Sequence, residues 1–282
     1  MKARLGDDYK DGMYIGTIHG LANRFLLTHG IDTSKAIKEE QFDQLFTLLE
    51  KNPKCVPHIP HILLDEAQDS SSNQFHFIFD MIEPETFYVT GDLRQSIYSF
   101  RGGNPRLLEN MMDRADVTTY DLYENYRNGA NILNYAKRIL QKANMSDTSR
   151  AMRAGGKVCE GPADNHTLFT WLRTTGDYGD WAVLCSRNQD IDELRQHMEE
   201  EGIPSVTFKQ GELNKAKLEK LMASDQVKVL TRHSAKGLEF PYVSVYKPTW
   251  WGGDETYRVN YVAATRARDI LLWLDTPKKR SR

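Results

Sequence analysis

His61-Ile62-Leu63-Leu64-Asp65-Glu66-Ala67-Gln68-Asp69 is the stretch on which the fold turns. A short apolar run bounded by polar residues reads as a buried strand, here one that ends in two adjacent acids. Downstream, Phe75, Ile78, Phe79 and Ile82 recur at helical spacing, and Phe87-Tyr88-Val89-Thr90 reads as a second strand ending at Gly91-Asp92. Strand, helix, strand in this order predicts parallel α/β structure, because a parallel return needs a crossover. The rhythm recurs in the second half. Trp181 to Cys185 predicts a strand and Ile191 to Glu201 a helix stopped by Gly202. Val227 to Thr231, Val243 to Tyr246 and Ile270 to Leu274 predict further strands. Ligands of such sheets collect at the carboxyl ends of strands, so the polar residues after each strand are the candidates for chemistry.

At 282 residues the chain has room for two domains, taking roughly 150 residues for each. The boundary is placed after Met111-Met112, giving domains 1–114 and 115–282. Hydrophobic residues make up 40% of the chain, which excludes wholesale disorder. Lys plus Arg number 37 against 39 Asp plus Glu. That balance excludes a polycation coating nucleic acid by bulk charge and leaves room for a local basic groove. No apolar run approaches the ~20 residues that span a bilayer, so no membrane partner is expected. The opening residues lack the succession of a signal peptide. Cys55, Cys159 and Cys185 match neither a zinc pattern nor a disulfide framework, so a reducing, intracellular compartment is expected. Gly155-Gly156-Lys157 fails as a phosphate loop, since Ala151 stands where the first Gly belongs and Val158 follows the Lys; it reads as a plain turn.

Two strand ends carry the chemistry. Asp65 is placed to hold Mg²⁺, and Glu66 to polarise a water aimed at a γ-phosphate. After the next strand comes Gly91-Asp92-Leu93-Arg94-Gln95-Ser96-Ile97-Tyr98-Ser99-Phe100-Arg101-Gly102-Gly103. Gln95 could sense the terminal phosphate. Phe100 and Arg101 set an aromatic face beside a cation, which suits stacking on a base and contacting the backbone of single-stranded DNA.

With these residues in view the chain resembles a superfamily 1 helicase of the UvrD/Rep/PcrA type. Six stretches follow the family's motif order. Gly16-Thr17-Ile18-His19-Gly20 resembles its DNA-contacting Thr-x-His motif. Asp65-Glu66-Ala67-Gln68 resembles Walker B, and Gly91 to Gly103 the motif coupling nucleotide to DNA. Glu124-Asn125-Tyr126-Arg127 resembles the Asn-Tyr-Arg motif. Thr231-Arg232-His233-Ser234-Ala235-Lys236-Gly237-Leu238-Glu239-Phe240 resembles the long motif of the second domain. Tyr261 to Arg268 resembles the final arginine motif. Trp181 to Pro204 also matches the family's strand–helix segment ending in Gly-Ile-Pro.

The resemblance implies two RecA-like parallel-sheet domains with ATP and Mg²⁺ in the cleft between them. It implies that Gln68 belongs to the ATP site, that Tyr126 stacks on adenine, and that Glu239 accepts from the ribose. Arg127 and Arg266 would reach the γ-phosphate, where an always-charged guanidinium matches phosphate oxygens. Lys236 and Thr231 would link nucleotide state to strand grip. Thr17, His19, Phe100 and His233 would line the single-strand track, with movement 3′ to 5′.

The family's Gly-x-Gly-Lys-Thr phosphate loop is missing from this sequence, as is its adenine-reading Gln. Met1-Lys2-Ala3-Arg4-Leu5 resembles the Glu-Met-x-x-Arg end of the family's next motif. The first domain is therefore expected to be amino-terminally incomplete, its phosphate loop lying on a longer natural chain or a partner chain. Only 48 positions separate Thr17 from Asp65 and only 109 separate Arg127 from Lys236, so a compact version without the large second-domain insertion is expected. Such a chain should hydrolyse ATP negligibly alone. Its first sheet should expose edges and apolar surface, leaving it marginally stable, aggregation-prone or dependent on a partner. The competing expectation is a non-catalytic, helicase-derived DNA-binding or regulatory module.

Overall fold

The computed structural model describes residues 13–208 and 215–276. The readings of Met1 to Leu5 and of the basic tail Lys278 to Arg282 lie outside these residues. The chain divides into two compact units, Met1–Thr118 and Thr119–Arg282.

In the first unit, α1 (Ile18–Thr28), α2 (Ser34–Lys38) and α3 (Gln44–Lys51) precede β1 (His61–Leu64). Next come α4 (Ser72–His76), continuing as a π turn over Phe77–Met81, then β2 (Thr86–Val89) and α5 (Pro105–Met112). Local chemistry sets the helix starts. The Thr17 hydroxyl accepts from the Gly20 N–H at 3.0 Å, Ser71 and Gln74 form a capping box, and Asn104 caps a helix with Pro at its start. Leu21, Phe25 and Leu26 of α1 bury against Leu45, Phe46 and Leu49 of α3 and against Phe77.

β1 and β2 pair in parallel, with Leu63 opposite Tyr88. One face of the pair, Ile62, Leu64, Phe87 and Val89, packs on Phe75, Leu108 and Met111. The other face is bare: Leu63 is 80% and Tyr88 64% exposed. This corrects the reading of His61 to Leu64 as a wholly buried strand. A two-stranded sheet with helices on one side leaves alternate side chains in solvent. The double substitution Leu63→Thr, Tyr88→Thr is expected to shift unfolding free energy by less than about 0.5 kcal/mol, as for other exposed sites, while reducing self-association. Urea denaturation and analytical sedimentation test this, and a loss above about 1 kcal/mol would mean the face is covered in solution.

The second unit opens with β3 (Glu124–Gly129), α6 (Ala130–Gln141), β4 (Arg150–Arg153), β5 (Lys157–Pro162), α7 (Asn165–Thr174) and β6 (Trp181–Cys185). It continues with α8 (Asn188–Glu200), β7 (Ser205–Val206), α9 (Lys215–Met222), β8 (Val227–Thr231), β9 (Phe240–Tyr246), α10 (Asp254–Ala264) and β10 (Ala267–Asp275). Six strands form one sheet in the order β5-β10-β9-β6-β8-β7, with every pairing parallel. β3 and β4 pair separately, also in parallel.

β6 is buried along its whole length, which is why its sequence is an unbroken apolar run. β6 and β8 have the expected bounds. β9 and β10 each begin three residues earlier than expected. In β10 a register shift between Ala267 and Ile270 takes up the polar pair Arg268-Asp269 and hides the strand's start. α8 also begins early, at Asn188, because Asp190 is buried there and accepts from the Arg187 N–H at 3.0 Å. Gly155 and Gly156, at φ +76° and +83°, form the expected turn between β4 and β5.

Candidate functional site

At the exit of β1, Glu66 sits at φ +54°, ψ +39°, a region uncommon for a residue with a side chain. Such conformations persist where surrounding bonds over-determine them. Those bonds are present. Asp65 Oδ1 accepts from the Glu66 N–H at 2.9 Å and from the Thr90 hydroxyl. Glu66 Oε2 accepts from Gln68 Nε2 at 2.6 Å. Gln68 is fully buried, and its Oε1 accepts from the Asp92 N–H at 3.0 Å. Asp92 in turn accepts from Arg94 Nε at 2.6 Å and Gln95 Nε2 at 2.8 Å. The exits of β1 and β2 are thus one hydrogen-bonded assembly, with Asp65 and Glu66 on its exposed side.

Gly91 lets the two loops meet. A Cβ there would lie 2.6 Å from Leu108 Cδ2 and 2.8 Å from Gln68 Oε1. Gly91→Ala is expected to cost about 1–3 kcal/mol by overpacking. Thermal unfolding of the full chain measures it, and an unchanged midpoint would show that Leu108 and Gln68 yield freely.

Gln68 was expected among nucleotide contacts. The structure buries it and engages both ends of its amide within the protein, so its observed work is to hold Glu66 to the Asp92 loop. Thr90 and Asp92 were missed; a cross-strand hydroxyl partner leaves no mark in a local pattern.

Further along, a 3₁₀ turn over Ser99–Arg101 displays Phe100, 64% exposed. The Arg101 guanidinium carbon lies 5.6 Å from the ring centres of both Tyr98 and Phe100. The aromatic and cationic pair is therefore assembled. Thr17 caps α1. The His19 ring packs 5.5 Å from Phe42 and 5.2 Å from Phe46, with Nε2 3.6 Å from Asp43. In this structure both residues are engaged in the packing and capping of their own unit.

In the second unit, Asn125 Oδ1 accepts from the N–H groups of Arg127 at 3.0 Å and Asn128 at 2.9 Å. This turn chemistry aims Arg127, whose Nε donates to Glu239 Oε2 at 2.8 Å. Two residues that are 112 positions apart are so brought together. Tyr126 is 65% exposed, and its hydroxyl bonds the Glu124 carboxylate, which raises the phenol's pKa above its ordinary value.

Asn128, fully buried, donates to the carbonyls of Thr265 at 3.0 Å and Ala267 at 2.6 Å, the residues on either side of Arg266. Arg266 itself is buried. Its Nε donates to the Val262 carbonyl at 3.0 Å, Nη1 to the Leu238 carbonyl at 3.2 Å, and Nη2 to Thr265 Oγ1 at 3.2 Å. The Val262 carbonyl lies in the last turn of α10, where the helix dipole favours a cation.

At the end of β8, Thr231 Oγ1 donates to Ser234 Oγ at 2.8 Å and accepts from the Ser234 N–H at 3.1 Å. His233 and Lys236 are half-buried in the loop that follows. Arg232, which the sequence reading left without a role, is almost wholly buried. It donates to Asn260 Oδ1, to Ser186 Oγ at 2.9 Å and to Thr249 Oγ1 at 2.8 Å. Burial lowers its pKa to about 10.

Among the described residues, no group of three or more His, Cys, Asp or Glu side chains could hold a metal alone. An exposed Asp65 carboxylate already oriented by Thr90 fits Mg²⁺, which takes one or two carboxylates and leaves its other positions to phosphates and water. No helix of the described residues is long and apolar enough to cross a membrane.

The chain matches two family models, the UvrD/REP helicase N-terminal domain over residues 44–116 and the UvrD-like helicase C-terminal domain over residues 207–276. It is 37% identical over 97 residues to the ATP-dependent DNA helicase srs2 of Schizosaccharomyces pombe, covering 34% of this chain and 11% of that protein. Against DNA helicase II of Haemophilus influenzae it is 34% identical over 158 residues, or 54% of this chain and 19% of that one. A probable DNA helicase of Mycoplasma pneumoniae is 26% identical over 245 residues, 76% of this chain and 43% of that protein. Among solved structures, the C-terminal domain of a possible DNA helicase from Lactobacillus plantarum aligns over 54% of this chain and 88% of its own, at 18% identity and a TM-score of 0.41. The matched region spans only 11–20% of the length of the first three curated relatives. Two matches in family order, one within each unit, and helicase relatives reaching into both halves place this chain in the UvrD/Rep helicase family.

Proposed function

We propose that this chain supplies most of the motor of an ATP-driven translocase or helicase moving 3′ to 5′ on single-stranded DNA. In this reading the units are two RecA-like domains, and the phosphate loop comes from a segment outside this sequence or from a partner chain. The observation that carries the proposal is the locked assembly of Asp65, Glu66, Gln68, Asp92 and Gln95 at the exits of β1 and β2. Its bare sheet face, with Leu63 and Tyr88 in solvent, supports a missing neighbour.

Asp65 would hold Mg²⁺, which when bound neutralises charge on the transferring phosphoryl group. Glu66 accepts the proton of the attacking water, held in position by Gln68. Gln95, fixed by Asp92, reads the terminal phosphate. Tyr126 offers its exposed ring to adenine and Glu239 a carboxylate to the ribose. Arg127 and Arg266 stabilise the charge that develops, and Lys236 belongs to the nucleotide-binding set. Phe100, Arg101, Thr17, His19, Thr231 and His233 contact the strand.

The test is DNA-stimulated ATP hydrolysis by the chain alone, and by the chain joined to a strand–loop–helix segment bearing Gly-x-Gly-Lys-Thr. Asp65→Asn with Glu66→Gln is the control. Expected are no activity alone and activity after joining that the control abolishes. Activity of the chain alone, lost in the control, would mean that a phosphate cradle lies within this sequence. Strand binding without hydrolysis in both forms would favour the non-catalytic module, which the missing Gly-x-Gly-Lys-Thr also fits.

A further inference from the structure

The loop after β9 carries two adjacent tryptophans that the fold treats in opposite ways. Trp250 is built in. Its Nε1 donates to Asp275 Oδ2 at 2.8 Å, its ring lies 5.9 Å from those of Tyr257 and Trp273, and Lys142 Nζ sits 4.6 Å from its centre. Trp251, the next residue, is 84% exposed. The loop bearing it is firmly tied. The Thr249 carbonyl accepts from Asn260 Nδ2 at 2.9 Å, and the Trp251 carbonyl accepts from Thr256 Oγ1 at 2.8 Å. Ser186 Oγ donates to the Lys247 carbonyl at 2.7 Å.

Arg232 joins these ties. Its guanidinium reaches Ser186 after β6, Thr249 after β9 and Asn260 on α10. β6 lies between β8 and β9, all parallel, so these loops leave the same carboxyl edge of the sheet. That is the edge at which α/β sheets bind ligands. The hydrogen-bond acceptors around Arg232 are an amide and two hydroxyls, and the buried Asp190 carboxylate acts on its charge from nearby. Gly252 and Gly253, with φ +120° and +72°, follow Trp251 and add no side chains around the indole. One rigid, isolated ring matches the face of a single base better than a protein interface, which needs a contiguous patch.

We propose that Trp251 is a base-stacking contact for single-stranded DNA on the second unit, presented by a loop that Arg232 locks to the carboxyl edge of the sheet. The proposal rests on the strand-translocation reading and adds to it a contact outside the family's motif residues. An indole gives a broad π-face, and stacking of this kind tolerates any base sequence.

The experiment measures binding of a fluorescein-labelled oligothymidylate and of a blunt DNA duplex by the full chain. Trp251→Ala is expected to weaken oligothymidylate binding about ten-fold, and Trp251→Phe by less than about three-fold, as for loss and replacement of one stacking platform. Duplex binding should be unchanged by either. Quenching of intrinsic tryptophan fluorescence on strand binding should be smaller in Trp251→Phe. Unchanged strand affinity in Trp251→Ala, with affinity lowered by Phe100→Ala, overturns this proposal and leaves the translocation reading standing. An equal loss on duplex overturns stacking as the cause. No strand binding by the unaltered chain overturns both. If Trp251→Ala lowers the thermal midpoint, Trp251→Phe decides: a restored midpoint without restored binding overturns the proposal.

Discussion

Glu66→Gln is expected to lower DNA-stimulated ATP turnover by about 10²–10⁴-fold in the chain joined to a phosphate-loop segment, the loss typical of a missing general base. Nucleotide affinity should change little. The substitution is nearly isosteric, and the new side-chain oxygen can still accept from Gln68 Nε2, the partner 2.6 Å from Glu66 in the unaltered protein. What disappears is the ability to take a proton. Asp65→Asn should behave differently, raising the Mg²⁺ concentration needed for half-maximal turnover because a charged oxygen donor is lost. Single-turnover hydrolysis with nucleotide binding measured alongside separates the two. Turnover within about five-fold of normal in Glu66→Gln would remove Glu66 from the proton-accepting role.

The second large effect concerns stability. Trp181→Ala is expected to destabilise the second unit by about 3–5 kcal/mol, a large part of the roughly 5–15 kcal/mol that holds a domain folded. Trp181 is fully buried on β6, its Nε1 donates to the Thr175 carbonyl at 2.7 Å, and its ring lies 5.4 Å from that of Tyr242. Removing it opens a cavity between the sheet and α7 and α8, whose buried residues Leu168, Leu172, Leu194 and Met198 share that core. It also orphans the Thr175 carbonyl. Urea denaturation followed by circular dichroism measures the loss. A value below about 1.5 kcal/mol would show that the neighbours collapse into the space.

Much of the architecture was legible, for identifiable reasons. β6 announces itself because both faces of a central parallel strand are covered, so every residue is apolar; β8 is apolar at Val227, Val229 and Leu230, while its buried Lys228 donates to the Gly179 and Ser224 carbonyls. The acid pair and the Asp92–Gln95 loop could be set side by side because both follow strands of one parallel pair. β3 and β4 escaped notice because their pairing carries no apolar alternation: Glu124 to Gly129 is polar, and Tyr126 faces solvent. In α1 the helical spacing of Leu21, Phe25 and Leu26 is a usable signal of the buried face. The direction of Arg266 was not legible, since it depends on the Leu238 carbonyl, 28 positions away. Nor was the burial of Arg232, whose partners come from three separate elements.

The strand order of the second unit has a consequence for synthesis. β10, last of the described strands in the chain, lies inside the sheet between β9 and β5. Its partner β5 runs over Lys157–Pro162, more than a hundred residues earlier. A ribosome adding about 5–20 residues per second makes β5, β6, β8 and β9 well before the strand that joins β5 to the others exists. Until then β5 has no partner in the sheet, and β9 offers an unpaired edge. Nascent chains stalled before Ala267 should therefore be held by chaperones or cut by proteases, and release past Asp275 should close the sheet in a single late step.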